Sequence, residues 1–151
     1  MTVMHLLAKH EFVYVATCDR NGRPSVVPKF LLKAEKPFVY LLDYSFGRTT
    51  EYLRKNPWAS LSFMELDNLE SYRLNGPVEL IEEGEEFDLM VKEVERKIVR
   101  LTADRVIDAA RTGKRYQHYE LEIPNKYVII KFKIEEVTKI DADGDFFREK
   151  E

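Results

Sequence analysis

Between a strand-like run at residues 38–42 and a short helix-like run ending at Asn56-Pro57, the chain reads Asp43-Tyr44-Ser45-Phe46-Gly47-Arg48-Thr49-Thr50. Hydroxyls, a glycine and an arginine meet there at the start of a helix. The first backbone N–H groups of a helix lack internal partners and its dipole is positive at that end, so this combination suits an anion and points to a phosphate-bearing ligand. The competing reading is an ordinary cap, in which a Ser or Thr satisfies the free N–H groups with no ligand at all. Arg48 favours the anion.

Other reactive side chains are scattered. His5, His10 and His118 lack metal-ligand spacing, so no metal site is expected. Cys18 is the single cysteine; it excludes an internal disulfide and, with no neighbouring His, is expected to pack as a small hydrophobe rather than act as a nucleophile. Glu82, Glu83, Glu85 and Glu86 read as a solvated helix start that complements the helix dipole. Tyr116 and Tyr119, beside His118, line a pocket or belong to a loop packed on the sheet. No side chain stands out as a proton-transferring catalyst.

The elements that must hold the turn follow from period and punctuation. Residues 1–9 carry Met4, Leu7 and Ala8 at helical spacing, giving a short helix packed on the sheet or on a partner. Residues 12–17 are aromatic and β-branched, and Asp19-Arg20-Asn21-Gly22 supplies hairpin chemistry. The return strand runs over residues 24–32, where Pro28 demands a bulge, an edge or an unpaired position. Residues 38–42 make a third strand, residues 49–55 two helical turns stopped by Pro57, and residues 58–64 and 71–81 two more strands. Gly76 allows sharp curvature in the last of these.

From Glu85 the period becomes helical, with Phe87, Met90, Val91, Val94, Ile98 and Leu101 on one face. A second helix after Thr102 and a glycine stop at Gly113 complete this insertion of about residues 85–115. Residues 127–134 alternate as a strand, and residues 141–151 read as a polar, frayed tail. The expectation is one domain over residues 1–151, mainly antiparallel β with helical insertions (α+β), closed as a small Greek-key or meander barrel.

With 151 residues, 44% hydrophobic and 34% charged, the chain is long enough for a core of its own. A net charge of −3 gives no electrostatic footprint for nucleic acid. No segment approaches the roughly 20 apolar residues of a membrane helix, and residues 1–8 lack the features of a signal peptide. A soluble, unexported, cytoplasmic protein is expected.

The order and spacing of several motifs carry a resemblance. They are residues 12–17 followed by Asn21-Gly22-Arg23-Pro24, then Val26-Val27-Pro28-Lys29-Phe30, the Ser45 to Thr50 turn, residues 53–63, and Leu74-Asn75-Gly76-Pro77-Val78-Glu79. In this order they resemble the FMN-binding split-barrel superfamily, the pyridoxamine 5′-phosphate oxidase-like proteins, from about residue 12 to residue 80, with the closing strand near residues 127–137. The resemblance implies a split β-barrel homodimer with each flavin lying between subunits. It implies that the FMN ring lies against Pro28, Lys29 and Phe30 and against Asp43, Tyr44 and Ser45. The phosphate contacts it implies are Ser45, Arg48, Thr49 and Thr50, helped by Lys29. From the residues alone, Lys29 is either such a contact or a solvated strand residue, because the strand's register decides its face. Trp58, Leu61 and Phe63 are core or partner-side residues.

The implied activity is that of an oxidoreductase or flavin reductase taking a small-molecule electron donor or substrate. True pyridoxamine-phosphate oxidation is not expected, because the tail Asp143-Gly144-Asp145-Phe146-Phe147-Arg148-Glu149-Lys150-Glu151 lacks that enzyme's tryptophan segment and arginine-leucine motif. The alternatives are a non-catalytic flavin-binding or sensor module, or a barrel that binds haem or the deazaflavin F420.

Overall fold

The computed structural model describes residues 2–117 and 126–150. Its eight strands are β1 (Phe12–Cys18), β2 (Pro24–Glu35), β3 (Phe38–Tyr44), β4 (Trp58–Glu65), β5 (Glu70–Ile81), β6 (Tyr127–Lys133), β7 (Glu136–Ile140) and β8 (Phe146–Lys150). The helices are α1 (Val3–Leu7), α2 (Arg48–Lys55) and α3 (Glu85–Thr112).

All pairings are antiparallel, in the order β4-β1-β2-β3-β6-β5, and β5 pairs back onto β4 to close a six-stranded barrel. Each of the six strands pairs with two ring neighbours over at least part of its length, and β7 and β8 continue the sheet outward from β5. Period-2 alternation turns Val13, Val15, Leu31, Val39, Leu41, Leu61, Phe63, Leu74, Ile130 and Phe132 into the barrel, all but sealed from solvent. Leu6 and Leu7 of α1 join this core, so the first helix packs on the barrel.

The first hairpin forms as its turn chemistry predicts. The Asp19 carboxylate accepts from the Asn21 and Arg23 N–H groups at 2.8 and 2.9 Å, and Gly22 takes φ +77°. Beyond it, β2 is longer than residues 24–32: it runs to Glu35 across an irregularity between Leu31 and Lys33. Pro28 is paired in register with Tyr14, while β3 pairs with β2 only from Phe30 onward. Residues 24–29 therefore have β1 on one side and, among the described residues, no strand on the other, which is the edge position that proline requires.

Gly76 marks where β5 changes neighbours, from β7 at residues 71–75 to β6 at residues 78–81. Here the Asn75 carbonyl accepts from the Glu135 N–H at 3.0 Å, and a Cβ on Gly76 would collide with the Lys133 carbonyl. Glycine is needed for close backbone approach as well as for bending.

Three expectations are corrected. Residues 85–112 form one 28-residue helix rather than two, because nothing near Thr102 breaks it; the stop at Gly113 holds, with φ +71°. The closing strand divides at Ile134-Glu135, where the Ile134 N–H donates to the Pro37 carbonyl beside β3 and the Glu135 N–H to Asn75 of β5, and β6 and β7 result. The tail is not frayed over residues 146–150: the Asp141 carboxylate accepts from the Asp143 and Asp145 N–H groups, both at 3.0 Å, and turns the chain so that β8 pairs with β7.

Helix α3 lies outside the barrel. Met90 and Val94 are buried against Leu32, Tyr40, Ile81 and Ile129, with Phe87 and Ile98 partly buried beside them. The Tyr40 hydroxyl donates to Glu86 at 2.9 Å and Lys131 pairs with Glu86 at 2.8 Å, tying the start of the helix to the wall. Glu82 pairs with Arg54, so this part of the acidic run anchors elements as well as meeting solvent. No helix among the described residues is long and apolar enough to cross a membrane.

Candidate functional site

Strands β2 and β3 are paired as far as Phe30↔Leu42 and then part. The next residue on each strand is Lys29 and Asp43, and an ion pair takes the place of the ladder: Lys29 Nζ lies 2.6 Å from Asp43 Oδ1. Their neighbours Val13 and Val128 are buried, so both side chains sit on the barrel's inner face, at its mouth. Lys29 is consequently no solvated strand residue; its side chain is only 15% exposed and that of Asp43 5%.

Asp43 Oδ1 also accepts from the Tyr44 N–H at 2.8 Å. The buried Thr50 hydroxyl has one proton for two acceptors, the Tyr44 carbonyl at 2.8 Å and Asp43 Oδ2 at 3.2 Å. The shorter bond ties the first turn of α2 to the end of β3. Lys29 is thus the one cation held against the Asp43 carboxylate among the described residues.

Over this pair opens a cleft of about 350 Å³, lined by Glu11, Phe12, Pro28, Lys29, Phe30, Leu42, Asp43, Tyr44, Ile98, Leu101 and Arg105. It lies in the size range of small-molecule sites, with apolar and aromatic walls and a few polar groups. Phe12 meets Phe30 edge to face at a centroid distance of 5.3 Å. The far wall is α3, whose Ile98, Leu101 and Arg105 fall at i, i+3 and i+7 on one helical face.

Charge fastens that wall. Lys97 donates to the Leu31 carbonyl, lies 5.2 Å from the Phe30 ring centroid and approaches Glu11 Oε2, at 3.6 Å. Glu11 Oε2 is buried with no hydrogen-bond partner among the described residues, while Oε1 takes Arg100 at 2.9 Å. Burial pulls the Lys97 ammonium below its ordinary range, partly opposed by Glu11.

Residues 45–50 of the turn lie beside the cleft in the chain rather than in its lining. Gly47 is the N-cap of α2, and no side chain caps the helix, so the ordinary-cap reading does not hold. Arg48 is exposed, and no ion pair engages it among the described residues. Ser45 is half-buried, with its N–H bonded to the Lys126 carbonyl at 3.3 Å; Thr49 and Thr50 are buried.

Of the residues singled out from sequence, Pro28, Lys29, Phe30, Asp43 and Tyr44 converge on the cleft. Ser45, Arg48, Thr49 and Thr50 form its neighbouring turn. Sequence reasoning missed Glu11, Phe12, Leu42 and Arg105 as cleft residues, and placed Ile98 and Leu101 only on a packing face. For Arg105 a signal existed: it continues the apolar stripe of α3 with a charge.

Tyr116 folds back on α3, its hydroxyl bonded to Asp108, and its ring lies 5.4 Å from Arg105 and 4.8 Å from Lys114. His118 and Tyr119 lie outside the described residues. His10 bonds Glu65 at 2.8 Å, away from the cleft, and Cys18 accepts a bond from Asn56 at 3.3 Å. No His, Cys, Asp and Glu grouping suited to a metal occurs among the described residues.

A family model described as pyridoxamine 5′-phosphate oxidase matches residues 2–141. The chain belongs to this family. Similar solved structures include a protein related to general stress protein 26 of B. subtilis, of the pyridoxinephosphate oxidase family, from Clostridium acetobutylicum. It is 18% identical with a TM-score of 0.68, covering 97% of this chain and 89% of that one. A pyridoxamine 5′-phosphate oxidase-related, FMN-binding protein from Nostoc punctiforme is 12% identical with a TM-score of 0.57, over 97% and 90%. A haem-binding protein from Mycobacterium smegmatis is 15% identical with a TM-score of 0.65, over 97% of this chain and 55% of its own. At these identities the likeness is one of fold, the split barrel of pyridoxamine 5′-phosphate oxidase-like proteins. No curated protein sequence matches the chain.

Proposed function

We propose that this chain is an FMN-binding flavoprotein, acting in the cytoplasm as an oxidoreductase or flavin reductase on a small soluble substrate, and not a pyridoxamine-phosphate oxidase. The observation that carries the reading is the cleft at the parting of β2 and β3, with an uncapped helix start and exposed Arg48 a few residues along the chain. Its donor set suits a flat aromatic ring bearing a phosphate. Phe12, Phe30, Leu42, Ile98 and Leu101 offer apolar walls, and the edge of β2 beside Pro28, which β3 leaves unpaired, offers backbone groups. Lys29, Asp43 and Tyr44 supply polar contacts for the ring edge.

The phosphate belongs at the N-terminus of α2, where free N–H groups, the helix dipole, Arg48 and Ser45 favour an anion. Buried Thr49 and Thr50 hold that turn in place, and Thr50 does so through its bond to the Tyr44 carbonyl. When bound, FMN supplies the hydride or electron transfer, and the protein contributes binding, orientation and electrostatics. Helix α3 shields one side of the cleft from water.

The functional unit in this reading is a homodimer. Phe12, Tyr14, Val26, Trp58 and Met64 are all 45% or more exposed, on the outer face of β1, β2 and β4. An apolar face of this kind marks an interaction surface, and Phe12 belongs to both that face and the cleft. A second copy docked there would cover the flavin from the side opposite α3.

The visible spectrum of the purified protein tests the cofactor. Bands at about 370 and 450 nm after incubation with FMN support the proposal, whereas an intense band at about 400 nm supports haem. A preparation that gains no band with FMN and shows no NAD(P)H-dependent reduction would sink it.

A further inference from the structure

We propose that Asp43, acting through Lys29, sets the electrostatic character of the cleft floor, and with it the affinity for anionic ligands and the potential of a redox group bound there. The inference concerns the cleft assigned above to flavin, and its redox arm rests on that reading. Three observations support it. Lys29 and Asp43 bridge the point where the β2–β3 ladder ends, both line the cleft, and both are largely withdrawn from water. The ammonium and carboxylate are 2.6 Å apart, so the pair presents no net charge to a guest. The geometry also fixes the lysine: Asp43 is held by the Tyr44 N–H at 2.8 Å, and Lys29 has Asp43 as its ion-pair partner.

Screening by solvent is weak at such a site, and a change of one unit of charge there acts strongly on a guest. Asp43→Asn uncovers a cation, which favours anions and the electron-rich reduced form of a redox group. Lys29→Met uncovers a carboxylate and acts in the opposite sense. The double variant restores neutrality.

The test compares wild type, D43N, K29M and K29M/D43N. Two readouts are used: binding of the anionic aromatic probe 8-anilinonaphthalene-1-sulfonate, and the midpoint potential of bound FMN measured against a reference dye. Probe affinity should fall in the order D43N, then wild type and double variant together, then K29M, with roughly tenfold between the single variants. The FMN midpoint should rise in D43N, fall in K29M and return in the double variant. A tenfold change in the ratio of affinities for reduced and oxidised FMN is about 30 mV for two electrons.

If K29M fails to fold, because its buried carboxylate has lost its cation, D43N and the double variant still carry the comparison. Four proteins alike in both readouts, or single variants that shift in the same direction, overturn the inference. Wild type that takes no FMN while the probe order holds removes the flavin reading and leaves the charge pair standing. FMN binding with a flat probe series does the reverse.

Discussion

Gly76 lies so close to Lys133 that a Cβ built on it would strike the Lys133 carbonyl oxygen and come within 2.9 Å of the carbonyl carbon. Backbone stands against backbone there, at the point where β5 leaves β7 for β6. Neither side yields as a flexible side chain would. Gly76→Ala should destabilise the barrel by about 3 kcal/mol, read from urea unfolding midpoints. A change below about 0.5 kcal/mol would show that the crossing adapts.

Helix α3 is held on the wall by little buried apolar surface, chiefly Met90 and Val94. Met90→Ala should cost about 2 to 3 kcal/mol and loosen the helix locally, raising amide exchange along residues 86–101 more than in the barrel strands. Uniform exchange throughout the chain would instead mean that helix and barrel open as one unit.

Alkaline pH should weaken the fold through two phenols. Tyr40 and Tyr72 are each pushed up from 10.0 to about 12, first by burial and then by bonding to Glu86 and Glu70. The unfolded chain releases these protons first, so their contribution is intact below pH 10.0 and lost as pH rises toward 12, by up to ~1.4 kcal/mol per pH unit for each. Lys97 acts in the opposite direction, because its native pKa is depressed and stability from that source grows with pH. A Y40F/Y72F variant should lose less stability than wild type between about pH 9 and about pH 11, measured as the shift in urea midpoint.

Arg48 is exposed and unpaired among the described residues, so replacing it costs the fold little. Arg48→Ala should weaken FMN binding roughly tenfold or more, as the loss of a charge-assisted hydrogen bond would, while leaving stability within about 0.5 kcal/mol. Fluorescence titration with FMN and a thermal melt check the two halves. Unchanged affinity counts against Arg48 as a phosphate contact.

If the outer face of β1, β2 and β4 joins two copies, charge placed on it should separate them. Tyr14→Glu with Trp58→Glu should give a folded monomer by light scattering, with the melting transition retained. A dimer that survives both substitutions lies on another surface.

Much of the architecture was legible because local chemistry and long-range packing agree. Asn21-Gly22 makes a hairpin wherever its flanking strands pair, and the stripe through Met90, Val94 and Ile98 marks the face of α3 that meets the wall. β8 was hidden because Phe146-Phe147-Arg148-Glu149-Lys150 has no alternation, every residue being exposed, and its pairing rests on a turn made by Asp141. The motif order located the cleft strands, but the face taken by Lys29 depends on register, and its bond to Asp43 on where two ladders stop. Arg105 enters the cleft through the docking of an entire helix; its place in line with Ile98 and Leu101 gives its face, but not what that face meets.

The parting of β2 and β3 has an evolutionary corollary. The β2–β3 ladder ends at Phe30↔Leu42, and the cleft opens where the two strands part, lined by side chains of both and by one face of a helix. Substitutions at Ile98 or Arg105, on the helix wall, can therefore change what the cavity accepts while the strand registers stay as they are. A scaffold partitioned in this way is free to diversify its guests while inheriting its fold unchanged.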